Sequence, residues 1–301
     1  MQAPNIPTEH KAGFVNIIGK PNVGKSTLMN ALVGERLSII TSKAQTTRHR
    51  ILGIVNGDDF QIVYSDTPGV LKPAYKMQEA MMRFVYQSFD DADILLVMAD
   101  ASEKKDRDIA LVADKINRSE AKVIFLLNKV DLVTAADAEQ QLAYWRSQIK
   151  ATAYLPVSAL TGHNLTALFD TILSNLPLSP PYYPDKEELT DRPERFFVSE
   201  IIREKILLTY HQEIPYSVEV VIDSFKEDDE MVRIEAIIWA NRESQKPILI
   251  GKNGKNLTKV GTAARMDIEQ FLEKKVYLGL RIKVREGWRE NETLLKNLGY
   301  Q

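Results

Sequence analysis

The chain has 301 residues, 44% apolar and 27% charged, with a net charge of −2 and no cysteine. That length allows two domains, since a single core stops growing at roughly 250–300 residues. Missing thiols exclude disulfides and thiolate metal sites, and the near-neutral balance excludes a chain-wide polyanion partner, so any basic surface is local.

The amino terminus, MQAPNIPTEHKAGF, has no apolar signal segment, and no stretch reaches the roughly 18 apolar residues a membrane span needs. A cytoplasmic protein is expected, with residues 2–10 floppy and outside every motif. From residue 13 to about 176, short apolar runs alternate with helical periodicity, which predicts a parallel sheet wrapped by helices. The first strand, 14–18, runs straight into GKPNVGKS and a helix over 25–33. Gly19 and Gly24 let successive N–H groups converge on phosphate oxygens, and the helix start adds its positive dipole end. Lys25 then reaches the β- and γ-phosphates, and the Ser26 hydroxyl meets Mg²⁺. A glycine turn beside a solvated lysine is the plainer alternative.

Strands over 50–56 and 60–65 flank NGDD, a tight-turn signal, so that pair is expected to be antiparallel and at one edge. DTPG (66–69) follows: Asp66 can hold Mg²⁺ through water, and Gly69 can bring its N–H to the γ-phosphate. A helix over 75–89, a strand over 93–99, a helix over 106–118 and a strand over 122–127 lead to NKVD (128–131). There Asp131 can accept from N1–H and the exocyclic amine of guanine; adenine would leave that carboxylate unpaired. Asn128 can meet the major-groove edge of the base, and Lys129 can lie over the ring. A helix over 137–149 and a strand over 153–157 precede SAL, where Ser158, Ala159 or Leu160 can offer an N–H to guanine O6, and a helix over 164–175 closes the unit.

These motifs occur in order, each at the carboxyl end of a strand, where ligands sit in such sheets. On them the first unit resembles the P-loop GTPases. The resemblance implies an α/β fold with a mixed, mostly parallel sheet and helices on both faces, binding GTP or GDP with Mg²⁺. It extends the nucleotide site over Gly19, Lys20, Pro21, Asn22, Val23, Gly24, Lys25, Ser26 and Thr27. In KAQTTRHR (43–50) it implies that Thr47, rather than Thr46, is the second Mg²⁺ ligand beside Ser26 and Asp66. Val70 stands where Ras-like GTPases carry a water-orienting glutamine. Hydrolysis must then use another group, and Asn22 offers a carbonyl that can help hold K⁺ beside the phosphates. The catalytic set is thus Lys25, Thr47, Gly69 and Asn22. The alternative is an RNA-binding module whose nucleotide is only a structural ligand.

The domain expected over 11–178 ends at the proline-rich 179–194, read as a semi-rigid interdomain linker. Over 195–301 the order changes: helix 195–210, strands 216–225 and 231–240, helix 243–250, GKNG, helix 255–275, strand 276–286. A Gly-x-x-Gly loop between helices can clamp a nucleic-acid backbone. Gly251, Lys252, Asn253 and Gly254, with Lys246, Lys255 and Lys259, form the basic side. Ile248, Leu249, Ile250, Leu257 and Val260 are expected to make an apolar groove for bases. This α+β order, αββααβ, resembles the bacterial (type II) KH domain. Trp288, between Arg285 and Arg289, either stacks on a base or, more commonly for such an aromatic, packs against the domain.

The pairing of these two units resembles one family of bacterial GTPases. It implies a monomeric, GTP-hydrolysing switch that assists small-subunit assembly by binding the 3′ end of small-subunit ribosomal RNA. It also admits peripheral contact with the inner membrane.

Overall fold

Phe14–Ile18 becomes the middle of β1 (Lys11–Gly19), where Val15, Ile17 and Ile18 are fully buried. The structure, a computed structural model, describes residues 9–103 and 107–300; residues 2–8 of the expected floppy terminus lie outside them. The chain divides into two units, one built on Thr47–Ala74 and Glu79–Asp191 with the described residues before Ile39, the other on Arg192 onward with Ile39–Thr46 and Tyr75–Gln78.

The first unit runs α1 (Lys25–Val33), β2 (Ile51–Asn56), β3 (Phe60–Asp66), α2 (Lys76–Asp90), β4 (Ile94–Asp100), α3 (Arg107–Ala110), α4 (Ala113–Arg118), β5 (Lys122–Asn128), α5 (Ala135–Gln148), β6 (Ala153–Pro156) and α6 (Leu165–Asn175). Its six strands lie in the order β2-β3-β1-β4-β5-β6. β2 pairs antiparallel with β3 and every other pair is parallel, so the NGDD hairpin forms the edge as expected. β4 is buried at every position because helices cover both faces, which is why its sequence is almost uninterruptedly apolar.

Two expectations need correction. The single helix over 106–118 is two, α3 and α4, with residue 106 outside the described residues. Val112 N–H donates to Ile109 O at 3.0 Å, an i→i+3 bond that tightens the turn and seats both β-branched side chains in the core. The stretch 179–194, expected as a semi-rigid linker, is bound to the first unit over most of its length, and the division between the units falls after Asp191. Gln61 accepts from Tyr182 N and Tyr183 N at 2.7 and 3.0 Å and donates to Tyr183 O at 2.8 Å. Asn56 donates to Lys186 O at 3.0 Å, and Ile54 N to Leu189 O at 2.9 Å. The segment up to Leu189 therefore straps the open edge of β2, supplying partners an edge strand otherwise lacks.

The second unit runs α7 (Glu194–Thr209), α8 (Ile214–Ser217), β7 (Val218–Glu227), β8 (Met231–Ala240), α9 (Gln245–Ile250), α10 (Lys255–Leu272), β9 (Lys275–Val284) and α11 (Glu292–Asn297). β7 and β8 pair antiparallel and β8 and β9 parallel, giving a three-stranded sheet under α7 and α10. The αββααβ order stands, with α8 and α11 added. Trp288 is fully buried and its indole N–H donates to Ser217 O at 3.2 Å, so it is a core anchor and stacks on nothing external.

Candidate functional site

The phosphate loop leaves β1 at Gly19 and enters α1 at Lys25. Gly24 has φ 106°, and a Cβ there would drive into the Asn128 side-chain amide, so only glycine fits. Lys25, 5% exposed, donates its ammonium to Gly19 O at 3.1 Å and Lys20 O at 2.9 Å, which folds its stem back across the loop mouth. Pro21, Val23 and Thr27 shape the loop; Val23 is fully buried, and Asn22 is exposed with φ 62°. Val70 N–H donates to Gly19 O at 3.0 Å, and a Cβ on Gly69 would lie 2.7 Å from Pro21 Cα. DTPG therefore rests directly on the phosphate loop, and Gly69 is needed for that approach.

Three oxygens meet beside Lys25. Ser26 Oγ donates to Asp66 Oδ2 at 2.7 Å and lies 2.9 Å from Thr47 Oγ1, which is 3.3 Å from the same carboxylate oxygen. Asp66 Oδ1 is buried with no hydrogen-bond partner among the described residues, and the Ser38 hydroxyl lies close enough to act on the carboxyl without a well-formed bond. Burial pushes the Asp66 pKa up, against the opposing Lys25 charge and the bonds from Ser26 and Thr47. A buried carboxylate with an unused oxygen, flanked by two hydroxyls, fits a hard divalent cation such as Mg²⁺. Thr46 turns elsewhere: its hydroxyl bonds Thr41 Oγ1 at 2.7 Å and Lys43 O at 2.6 Å.

The base-side loops are tied to one another. Asn128 donates to Val23 O at 2.8 Å and accepts from Ala159 N at 2.9 Å. Each end of its amide is used once by the protein, so Asn128 joins three loops while its second amide N–H stays available for the base edge. Ser158 N–H donates to His163 O at 3.2 Å, and Leu160 stands 80% exposed. Asp131 is exposed on the 3-10 turn Val130–Leu132, and Lys129 before it is left-handed at φ 64°.

In the second unit, Lys252, Lys255, Lys259 and Ile248 are exposed around GKNG, and Lys246 is half-buried. Gly251, Asn253 and Gly254 all take positive φ, at 72°, 53° and 76°. Leu249 and Val260, expected in an apolar groove, are fully buried core residues instead. Leu257, also expected there, does line an open groove, between α10 and β9. It has about 320 Å³ lined by Leu257, Thr258, Gly261, Thr262, Arg265, Leu278 and Leu280.

A family model described as a 50S ribosome-binding GTPase matches residues 14–129, and a KH domain model matches residues 213–289. GTPase Era of Staphylococcus haemolyticus (strain JCSC1435) is 43% identical over 294 residues, covering 97% of this chain and 98% of its own. The chain belongs to the Era family of GTPases. The chloroplastic GTPase ERA1 of Zea mays is also 43% identical, over 302 residues covering 98% of this chain and 72% of its own. Two solved Era structures match with a TM-score of 0.92 and 38% identity. One, from Aquifex aeolicus, is a variant bound to GDP·AlF4⁻ and covers 96% of this chain and 99% of its own. The other, a complex with MgGDPNP and nucleotides 1506–1542 of 16S ribosomal RNA, covers 97% and 99%.

For this Era-family chain the motifs pointed to the loops but missed residues that buttress them. Asp100, at the end of β4, contacts Lys129, and Glu103 pairs with Lys20 of the phosphate loop. An aspartate closing the apolar run ILLVMAD was the available signal. The groove residues Thr258, Gly261, Thr262 and Arg265 follow i, i+3 and i+4 spacing from GKNG, a stripe that α10 places on one face.

Proposed function

We propose that this chain is a GTP-driven switch that binds the 3′ end of small-subunit ribosomal RNA and assists small-subunit assembly. One observation carries the reading: Lys25, Ser26, Thr47 and Asp66 converge at the mouth of a backbone phosphate cradle, on the same sheet end as Asp131. Lys25 neutralises phosphate charge there, Asp131 tests the guanine edge, and Thr47 and Gly69 tie their loops to the γ-phosphate. Ser26, Thr47 and Asp66 would hold Mg²⁺, which would offset phosphate charge there. Once the γ-phosphate leaves, Thr47 and Gly69 lose their contacts and the loops 35–50 and 67–85 relax.

RNA binding is assigned to the α10–β9 groove and the GKNG loop. The loop's positive-φ backbone, its exposed lysines and the RNA bound by the Era relative support it. The test is crosslinking in cells with the wild type and a Lys252→Glu, Lys255→Glu double variant. One discrete 16S site lost in the variant is expected; crosslinks confined to large-subunit RNA would overturn the assignment.

Val70 is fully buried, so the water-orienting role falls to another group. Asn22, exposed at the loop tip, is assigned to a K⁺ site that speeds turnover. Equal rates in K⁺ and Na⁺ buffers would remove that assignment. The buried Val70 also favours a second reading, in which the nucleotide serves as a structural ligand. Phosphate release with and without 3′-end RNA separates the two. We place the protein in the cytoplasm as a monomer, with its exposed KH-unit lysines able to touch anionic lipid. Flotation with anionic vesicles tests that contact.

A further inference from the structure

Lys129 is held by a carboxylate from a neighbouring strand. Its ammonium lies 2.7 Å from Asp100 Oδ2, and Asp100 is 4% exposed at the end of β4. The other carboxylate oxygen is also held: Asp100 Oδ1 accepts from Ser102 Oγ at 2.6 Å and Ser102 N at 2.9 Å. Sheet register fixes the arrangement, because Asp100 pairs with Asn128 across β4 and β5 and Ala101 N–H donates to Asn128 O at 2.8 Å. Burial favours the neutral acid, but the bonds from Lys129 and Ser102 prevail and hold the carboxyl below its ordinary range. The pair is therefore a charged one, built from both sides.

A lysine stem has four rotatable methylenes, and a free one must be ordered each time a base slides beneath it. The Lys129 side chain is anchored at its far end by Asp100 and left-handed at its root, so both ends are set before any base arrives. We propose that Asp100 is a positioning residue for guanine recognition: it fixes Lys129 so that the stem forms one wall of the purine slot beside Asp131. This rests on the assignment of NKVD to the base, and the experiment separates the two.

Four full-length proteins are compared for affinity and dissociation rate of a fluorescent GDP analogue with Mg²⁺: wild type, Asp100→Asn, Lys129→Met and the double variant. Asp100→Asn is expected to weaken binding roughly tenfold, chiefly through faster dissociation. Lys129→Met weakens it at least as much, and the double variant is no worse than Lys129→Met, because Asp100 acts through Lys129. A merely structural role for Asp100 would add its full factor in the double variant and overturn the proposal. So would an Asp100→Asn affinity within twofold of wild type. If Lys129→Met itself leaves affinity unchanged, the base-site assignment falls and this inference with it. Failure at Asp100 alone leaves that assignment standing.

Discussion

The Asn128 amide donates to Val23 O at 2.8 Å and occupies the space where a Cβ on Gly24 would sit. The NKVD loop and the phosphate loop are thus locked through one glycine, and that contact makes Gly24 different from Gly34. Gly24→Ala is expected to lower GDP affinity at least a hundredfold. Gly34 also has a positive φ, 84°, but nothing lies within 4 Å of its Cβ position. Gly34→Ala should cost about 1–2 kcal/mol of stability with nucleotide affinity unchanged. Calorimetric titration with GDP and urea denaturation of both variants check the pair.

Asp66 gives a pH dependence with a definite sign. Its folded pKa is raised above the ordinary 3.8 by burial, so the neutral acid favours the fold without ligand. That contribution is fully present below the unfolded value and is lost as pH rises through the folded one. Divalent cation binding needs the carboxylate and so strengthens over the same rise. Asp66→Asn should leave the nucleotide-free protein at least as heat-stable as wild type at pH 7. It should also abolish the extra melting temperature that Mg²⁺ with GDP confers. A thermal shift assay across pH 5–8 reads both.

Val70 is fully buried in the apolar cluster with Met82 and Val85, and its backbone is tied to Gly19. Val70→Gln therefore places an amide in the core and leaves the water unaided. The variant should lose about 1–3 kcal/mol of stability and gain no hydrolysis rate. Phosphate release and urea midpoints decide; a rate gain without loss of stability would show that the side chain reaches the γ-phosphate.

Trp288 separates packing from recognition. Trp288→Ala should cost about 3–5 kcal/mol, through its cavity and the lost bond to Ser217 O. Trp288→Phe, retaining most of the volume, should bind single-stranded 3′-end RNA as wild type does. Filter binding beside thermal melts of the full chain tests this.

The sequence by itself determined the order of elements and marked the motifs from which the sites are proposed. Short apolar runs and helical periodicity placed β1 to β9 within a few residues, and glycine, lysine and carboxylate types at fixed spacing marked Gly19–Ser26, Asp66 and Asp131, because those roles need particular groups. Local signals also decided the NGDD edge hairpin, and the family resemblance implied Thr47 rather than Thr46.

Only the tertiary structure decided which groups remain available. Spacing marks Asn128 as a base reader but does not show that its amide also ties Val23 and Ala159 from two other loops. Leu249 and Val260 looked like groove residues until helix phase turned them inward. The strap along β2 and the hold of Asp100 on Lys129 arise from strands far apart in the chain. Spacing reveals what a side chain can offer; burial and the partners brought by folding decide whether that capacity is still open to a ligand.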